Sequence, residues 1–284
     1  MKPPPFEYHA PRDLDDALRT LARVGTDGKV LAGGQSLIPM LNMRLMAPAH
    51  LVDINRVASL DGVEAGAAGV RVGALARHSQ VERGRSHPLL TRALRLVAHP
   101  VIRNRGTVVG SLAHADPAAE LPAVLAVLDG SVRLARWESG RIATREVGAR
   151  EFLVGPMESA VRPGELAVSA FFPALGPRTG AAFEELARRH GDYALAGVCA
   201  VVRLDEDGQV AAARVACTGV GPVPVVVDVT EASRDGWDAA ARRVQEEIEP
   251  EDDIHASAAY RRHLVGVLAG RALGGAAREA AGGA

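Results

Sequence analysis

The residues best suited to binding a ligand lie in the stretch 29–37, Lys-Val-Leu-Ala-Gly-Gly-Gln-Ser-Leu. The apolar run from Val30 to Ala32 predicts a buried strand that ends at Gly33 and Gly34. Glycine tolerates a positive φ and lets a ligand approach bare backbone. Because a strand, a glycine turn and a helix start leave several N–H groups free, the stretch could bind an anion, most often a phosphate. Taken alone, it is equally typical of a tight turn without a ligand.

A second glycine turn with small polar neighbours lies at residues 105–117, Arg-Gly-Thr-Val-Val-Gly-Ser-Leu-Ala-His-Ala-Asp-Pro. Two such turns could hold a pyrophosphate from two sides. Pro117 is predicted as the first residue of a helix that extends to about Leu128, which places Asp116 at its N-cap. The Asp116 carboxylate could also bind sugar hydroxyls.

Other chemistries are not indicated. The sequence contains no P-loop, no G-x-G-x-x-G at a helix start and no G-x-S-x-G elbow, and no constellation of side chains offers a nucleophile. No catalytic residue is therefore predicted. The nine histidines are scattered without an H-x-H or H-E-x-x-H motif, so no metal site is predicted either. Cys199 and Cys217 lack cluster spacing and are predicted to be buried small hydrophobes, with a disulfide possible only if their strands pair.

Composition limits the classes of partner. The 284 residues carry a net charge of −1, so no strong field recruits nucleic acid or an anionic membrane. No apolar run approaches the ~20 residues that span a bilayer. The N-terminus lacks the apolar core of a signal peptide, and we expect a cytoplasmic protein.

Several elements must position the two turns. Periodicity predicts helices at Pro11–Val24, capped by Asp13, and at His87–His99, ended by Pro100. Further predicted elements are a helix at 37–45, strands at 50–54 and 164–172, and hairpins at 63–74 and 131–146.

The C-terminal part has a different pattern. A boundary is predicted at 174–180, followed by a meander of strands at 181–188, 194–204 and 209–219. Helices are predicted at 234–248 and 256–273, and the Gly-Ala tail, 274–284, is expected to fray.

With both turns identified, the sequence resembles the FAD-binding (medium) subunit of the molybdenum hydroxylases, the group of aerobic carbon monoxide dehydrogenase and xanthine dehydrogenase. The resemblance covers nearly the whole chain. Four segments carry it: 29–37, 105–117, 188–194 (Arg-Arg-His-Gly-Asp-Tyr-Ala) and 253–261 (Asp-Ile-His-Ala-Ser-Ala-Ala-Tyr-Arg).

The resemblance implies an α+β fold. A PCMH-type (vanillyl-alcohol-oxidase-like) FAD-binding domain is expected at 1–176, with subdomains at about 1–55 and 56–176. A smaller domain like the C-terminal domain of the CO dehydrogenase flavoprotein is expected at 177–284, with a three-stranded antiparallel sheet and helices.

The same resemblance implies which residues bind FAD. Backbone groups of 32–36 would hold the pyrophosphate, with the second turn closing on it. Asp116 and Glu120 would bind ribityl or ribose hydroxyls, and Tyr193 would lie beside the isoalloxazine ring. The complete implied set is Lys29, Val30, Leu31, Ala32, Gly33, Gly34, Gln35, Ser36, Leu37, Thr107, Gly110, Ser111, Asp116, Glu120, Asp192 and Tyr193.

Two glycine positions lead to expectations of their own. Gly33→Val is expected to expel FAD while the fold is retained, because its methyls would meet the pyrophosphate. Val109 stands where the family usually has a second glycine. If that position requires φ > 0, valine suits it poorly and FAD binding would weaken.

The implied function is electron transfer. FAD in this chain would take electrons from [2Fe-2S] clusters of a small subunit, which receives them from a molybdenum-binding large subunit, and would pass them to an external acceptor. The expected assembly is a dimer of heterotrimers. Two alternatives are a self-contained FAD-dependent oxidase or reductase of the same fold and a scaffold subunit that has lost FAD. An absorption spectrum separates the flavin-containing possibilities from the scaffold.

Overall fold

The structure is a computed structural model that describes residues 2–282. Residues 2–178 form helices around two main sheets and a separate two-stranded pair, and the rest of the described chain forms another sheet with two helices. The elements of the first part are β1 (Glu7–His9), α1 (Leu14–Val24), β2 (Gly28–Leu31), α2 (Leu37–Asn42), β3 (His50–Asp53), β4 (Val63–Gly66), β5 (Gly69–Gly73), α3 (His78–Gly84), α4 (Pro88–Leu96), α5 (Pro100–Arg103), α6 (Val108–His114), α7 (Glu120–Val127), β6 (Ser131–Glu138), β7 (Arg141–Gly148), α8 (Ala149–Phe152), β8 (Leu153–Gly155), β9 (Glu158–Ser159) and β10 (Glu165–Pro173). The second part contains β11 (Thr179–Ala187), β12 (Ala194–Leu204), β13 (Val210–Thr218), β14 (Val225–Asp228), α9 (Trp237–Glu247) and α10 (Ala258–Ala280).

The first sheet is parallel and has the strand order β1-β3-β2. Helix α1 begins at Leu14 and not at the predicted Pro11, but the predicted cap is confirmed, because the Asp13 side chain accepts a hydrogen bond from the Asp16 N–H at 2.8 Å. Its apolar face buries Ala17, Leu18 and Leu21 in the same core as Val52 of the central strand. The sheet therefore holds the end of β2, and the glycine turn after it, in a fixed place.

The second sheet is antiparallel, with the order β4-β5-β10-β6-β7. Both predicted hairpins are present in it, β4–β5 around Gly66–Gly69 and β6–β7 across Ser139–Gly140. Buried side chains of β5, β6 and β10, among them Val72, Leu134 and Phe172, join the core that α1 covers. This shared core fixes the second sheet relative to the first.

The third sheet has the order β11-β12-β13-β14. Its first three strands form the predicted meander, and β14 adds a fourth at the edge, pairing Cys217 with Val225 and Val215 with Val227. Strand β13 ends at Thr218, and after the prolines at 222 and 224 the Val-Val-Val run returns to the sheet. Helices α9 and α10 pack on one face, where Val244, Val265 and Ala272 are fully buried.

The two cysteines are free thiols on adjacent strands. Cys199 pairs in register with Ala216, and Cys217 pairs with Val198. Because alternate residues of a strand point to opposite faces, the thiols face different cores, Cys199 the first and Cys217 the second. They are buried small hydrophobes and cannot form a disulfide with each other.

Several helix boundaries differ from the sequence expectation, among them the ends of α4 and α10. Helix α4 ends at Leu96, and Pro100 begins the short helix α5 instead of ending the earlier one. The predicted fraying of the tail is wrong up to Ala280, because α10 continues to that residue; residues 283 and 284 lie outside the described part. Glu279 explains the continuation, since it accepts two hydrogen bonds from Arg92 at 2.7 Å and one from the Ala181 N–H at 3.0 Å.

Within residues 2–282, no helix combines the length and apolarity that a membrane crossing requires.

Candidate functional site

The first glycine turn lies between β2 and α2. Gly34 has φ +75°, a left-handed conformation that favours glycine. Ser36 is the N-cap residue of α2, but its side chain makes no capping hydrogen bond. In the described part of the chain, the N–H groups of Gly34, Gln35 and Ser36 donate to no protein acceptor. Three neighbouring free donors form the kind of concavity that binds an anion.

The two glycine turns meet backbone to backbone at Gly33. A Cβ placed on Gly33 would lie 2.5 Å from the Arg105 carbonyl oxygen and 2.8 Å from the Gly106 Cα. Gly33 therefore lacks a side chain because the second turn passes against it. The expectation that Gly33→Val would leave the fold unchanged is wrong, since any side chain here separates the two turns.

A hydrogen-bonded clamp, formed by Tyr8, Asp53, Asn55 and Arg77, holds the turns in contact. Tyr8 donates to Asp53 at 2.6 Å, and Asn55 donates to Asp53 at 2.6 Å and to the Ala32 carbonyl at 2.8 Å. Arg77 donates to the Asn55 side chain and to the Arg105 carbonyl, both at 2.6 Å. The clamp thus connects residue 32 of the first turn to residue 105 of the second.

Sequence reasoning missed these clamp residues. Asp53 and Asn55 come at the end of β3, beside the end of β2, where polar side chains reach the loops of neighbouring parallel strands. Polar residues at the carboxyl end of the predicted strand 50–54 were the available signal. No such sequence signal pointed to Arg77, because this residue reaches the site from the loop before α3.

The second turn leads into α6. Thr107 is its N-cap, and the Thr107 hydroxyl accepts a hydrogen bond from the Gly110 N–H at 3.1 Å. A Cβ on Gly110 would lie 2.5 Å from the Thr107 Oγ1, so glycine leaves room for this cap. Thr107 is 2% exposed, which shows that its side chain shapes the turn from inside.

Val109 does not occupy a left-handed position. It is the second residue of α6, has a negative φ and is 2% exposed in the core. The concern that valine strains this turn is therefore wrong, because the backbone here is helical and the side chain packs inward.

Beneath the second turn lies a neutral histidine. His78 is 3% exposed, and its Nε2 lies 3.1 Å from the Ser111 hydroxyl oxygen. Burial lowers the pKa of His78 to about 4, so the ring is uncharged at neutral pH. Its Nδ1 has no partner within the described residues. Ser111 is therefore held in place by an uncharged ring.

Asp116 is not the N-cap that the sequence predicts. Helix α7 begins at Glu120 with Ala119 as its N-cap, and Asp116 accepts a hydrogen bond from the Ala118 N–H at 2.9 Å. The reason lies about 100 residues away. The Thr218 hydroxyl donates to the carbonyls of Pro117 at 2.6 Å and Ala119 at 3.0 Å, and these bonds keep 117–119 out of the helix.

A cleft of about 960 Å³ opens next to this segment. Asp116, Asp192 and Tyr193 line it, together with Arg188 and Arg261. Tyr193 is 63% exposed. Desolvation against the cleft wall and the carboxyl groups of Asp116 and Glu120 raise the pKa of Tyr193 to about 12. An exposed aromatic ring on the wall of a cleft suits a flat ligand.

Two carboxyl groups next to the cleft residues hold their protons unusually tightly. Burial and the neighbouring Glu185 raise the pKa of Glu120 to about 8. Burial raises the pKa of Glu185 to about 7, and its Oε2 has no partner within the described residues. A protonated carboxyl group donates as well as accepts, so Glu120 could bond a hydroxyl in either direction.

The other predicted site residues fall into two groups. Lys29 is exposed on β2. Burial lowers the pKa of His114, which belongs to the second motif; the Asp116 carboxylate opposes this shift and the Lys29 charge adds to it. Val30 and Ala32 pack against the first core, and Leu31 and Leu37 are also partly buried, so these four position the turn. The structure thus brings the two turns together, and Asp116 and Tyr193 meet across the cleft.

The free N–H groups, the contact between two glycine turns and the adjacent cleft fit a dinucleotide whose pyrophosphate lies at the turns and whose ring lies near an aromatic side chain. On a small parallel sheet followed by an antiparallel one, this arrangement defines a flavin-binding protein of the PCMH class. Residues 4–175 match the family described as the FAD binding domain in molybdopterin dehydrogenase, and residues 181–276 match the CO dehydrogenase flavoprotein C-terminal domain. The chain belongs to this family, the FAD-binding medium subunits of the molybdenum hydroxylases.

Similarity to individual proteins supports the same family assignment. The chain is 40% identical over 99% of its length to the 6-hydroxypseudooxynicotine dehydrogenase complex subunit alpha of Paenarthrobacter nicotinovorans, of which it covers 97%. It is 35% identical over 97% of its length to the carbon monoxide dehydrogenase medium chain of Hydrogenophaga pseudoflava, covering 98%. Among solved structures, quinoline 2-oxidoreductase from Pseudomonas putida 86 superposes with a TM-score of 0.90 at 34% identity, covering 99% of both chains. The chain is therefore an FAD-dependent oxidoreductase subunit.

Proposed function

We propose that this chain takes electrons from [2Fe-2S] clusters of a small partner subunit and passes them through FAD to an external acceptor. Bound FAD supplies the electron-accepting and electron-donating chemistry. The chain binds and orients it. The observation that carries the proposal is the contact between the two glycine turns, which places three free N–H donors beside the second turn.

We assign roles to the site residues on the same basis. The N–H groups of 34–36 hold the pyrophosphate, and the turn at 107–111 closes on it, with Thr107 and Gly110 shaping that turn. Asp116 and Glu120 bond the hydroxyls of the ribityl or ribose group, and Tyr193 lies against the isoalloxazine ring. The exposure of Tyr193 on the cleft wall, close to both carboxyl groups, supports this assignment.

We also propose the assembly and the domain division. The partners are an iron–sulfur small subunit and a molybdenum-binding large subunit, in a cytoplasmic dimer of heterotrimers. The names of the relatives, a "complex subunit alpha" and a "medium chain", support a multi-subunit enzyme. The FAD-binding domain covers 1–176, in subdomains of about 1–55 and 56–176, and the C-terminal domain covers 177–284. The ranges of the two family matches support this division.

A reconstitution experiment tests the proposal. The purified full chain is mixed with FAD, desalted and examined by absorption spectroscopy. We expect non-covalently bound flavin, diaphorase-like electron transfer to a dye, and no hydroxylation of an organic substrate. Co-expression with the two proposed partner subunits should give a complex that contains iron and molybdenum.

Two results would contradict the proposal. A colourless chain that cannot be reconstituted would favour the scaffold alternative. A chain free of iron and molybdenum that oxidises a substrate at ordinary enzyme rates, ~1–10³ s⁻¹, would favour the self-contained oxidase.

A further inference from the structure

A second cluster of chemically capable side chains lies on the first sheet, apart from both glycine turns. Glu7 and His9 are on β1 and His50 is on β3. The His9 Nε2 lies 3.1 Å from the His50 Nδ1. The Glu7 Oε1 lies 3.6 Å from the His9 Nε2, and the Glu7 Oε2 lies 3.5 Å from the His50 Nδ1. Three potential metal ligands therefore converge within 4.8 Å of one another.

These separations match a metal coordination sphere. Zn²⁺ binds imidazole nitrogen and carboxylate oxygen at about 2.0–2.2 Å, so the ligand atoms of a tetrahedral site lie about 3.3–3.6 Å apart. The observed separations of 3.1, 3.5 and 3.6 Å are close to that edge length. The two Glu7 distances belong to different carboxylate oxygens, Oε1 toward His9 and Oε2 toward His50, so the exposed Glu7 side chain would turn to present one oxygen to an ion held by both imidazoles.

The sheet itself holds the ligands in place. Glu7 and His9 are two residues apart on one strand and so point to the same face. Glu7 pairs in register with His50 on the parallel neighbour, and the Glu7 N–H donates to the Ala49 carbonyl at 2.8 Å. Because all three side chains project from paired strands, little conformational freedom is lost when a metal binds.

The cluster is open on one side. The side chains of His9 and His50 are 13% and 26% exposed, whereas that of Glu7 is 62% exposed. An ion can therefore enter from solvent, and a water molecule can complete the coordination. Two histidines and one carboxylate leaving positions open are a ligand set that divalent transition metals favour over Mg²⁺ or Ca²⁺.

We propose that Glu7, His9 and His50 form a binding site for one divalent transition-metal ion, with zinc as the representative ion. The sequence predicts no metal site because its ligands come from two strands 41 residues apart and match no linear motif. A bound ion would connect the three-residue strand β1 to the centre of the sheet. The same strand carries Tyr8, which bonds Asp53 of the clamp.

Zinc binding to the full chain tests the proposal. The chain is produced without a histidine tag, freed of metal with a chelator, dialysed against zinc and assayed for bound metal. We expect one zinc per chain and a higher Tm in its presence. Glu7→Gln and His50→Ala should each lower zinc affinity by at least about tenfold, since even the loss of an outer-shell partner costs that much. Glu7→Gln alters an exposed side chain, so it tests the site without endangering the fold.

The chain offers a matched control. His99 and His190 form another histidine pair, with ring centroids 5.7 Å apart, and neither belongs to a three-ligand cluster in the described part of the chain. His190→Ala should leave zinc stoichiometry unchanged. If the parent binds no zinc, or if Glu7→Gln, His50→Ala and His190→Ala all bind as the parent does, the proposal is wrong and the pair is only hydrogen-bonded.

Discussion

At the scale of single residues, the geometry of the site depends on two positions, Gly33 and Gly110, where a missing side chain leaves space for neighbouring protein atoms. Gly33 carries no side chain and so lets the Arg105 carbonyl approach within the distance that a Cβ would occupy. Thr107 uses its hydroxyl to cap α6, which leaves Gly110 pressed against it. In both places, glycine is required by neighbouring protein atoms before any ligand is considered.

The Gly33→Ala variant tests this explanation. A Cβ at Gly33 would meet backbone 2.5 Å away, and backbone cannot move aside as a flexible side chain can. We expect separated turns, loss of bound FAD and destabilisation of about 1–3 kcal/mol, the usual cost of overpacking. Flavin content after desalting and urea denaturation measure the two effects.

Gly62→Ala is the control for that variant. A Cβ there would have no atom within 4 Å, and its φ lies outside the left-handed range. It should keep full flavin content. If Gly33→Ala behaved like Gly62→Ala, the contact between the turns would not be what demands glycine.

The carboxyl pair predicts a dependence of stability on pH. The pKa of Glu185 is raised from 4.5 to about 7, so the folded state holds this proton more tightly than the unfolded chain does. The stability contributed by the protonated form is complete below pH 4.5 and is lost as the pH rises through about 7. Glu120, with its pKa raised to about 8, extends the loss to higher pH.

Glu185→Gln should remove part of that loss. We expect Glu185→Gln to raise the Tm above that of the parent, and to do so by more at pH 8.5 than at pH 5. The expected gain is roughly 2–4 °C for each kcal/mol of penalty removed. Thermal unfolding at both pH values provides the measurement. Glu206→Gln, in the exposed turn between β12 and β13, is the control. Equal pH dependence in Glu185→Gln and the parent would argue against a destabilising charge at Glu185.

At the scale of elements, local signals in the sequence predicted the helices and strands, whereas contacts between distant residues determine where some of them begin or end. The Asp13 cap, both hairpins and the meander follow from turn residues and periodicity within each segment. The start of α7 does not, because Thr218, on β13, holds the carbonyls of Pro117 and Ala119. The length of α10 likewise depends on Arg92, which is far away in sequence, whereas β14 pairs with β13, the strand just before it.

The clamp gives a prediction at this scale. Asn55→Ala removes the bonds to Asp53, the Ala32 carbonyl and Arg77, so the end of β2 loses its connection to the second turn. We expect FAD affinity to fall about tenfold, corresponding to a cost of about 1–3 kcal/mol for broken polar contacts. Flavin fluorescence titration of the chain measures this.

Asn42→Ala serves as the comparison for Asn55→Ala. Asn42 is the last residue of α2, and among the described residues its side chain makes no hydrogen bond. Its FAD affinity should equal that of the parent. An Asn55→Ala variant with parental affinity would show that the turns hold together without the clamp.

At the scale of the whole molecule, the sequence predicted the two turns and the fold class, through motifs that are contiguous in the chain. Residues that act across the fold had no such signal. Arg77 reaches the Arg105 carbonyl, and His78 lies below Ser111, because helix packing brings separate segments together. The cluster of Glu7, His9 and His50, proposed above as a metal site, likewise comes from segments that are distant in the sequence. Linear spacing cannot reveal atoms that only tertiary structure makes neighbours.

The contact of Gly33 with Arg105 also bears on how the cofactor is acquired. The first turn follows a strand of the parallel sheet, the second lies between α5 and α6, and about 70 residues of chain separate them, so neither the nascent chain nor a half-folded one contains the complete cradle. FAD can then bind only the finished molecule, and by mass action it adds RT ln(1 + [FAD]/Kd) to the stability of that state alone. The supply of flavin in the cell would thereby set how much of this subunit survives proteolysis to meet its partners.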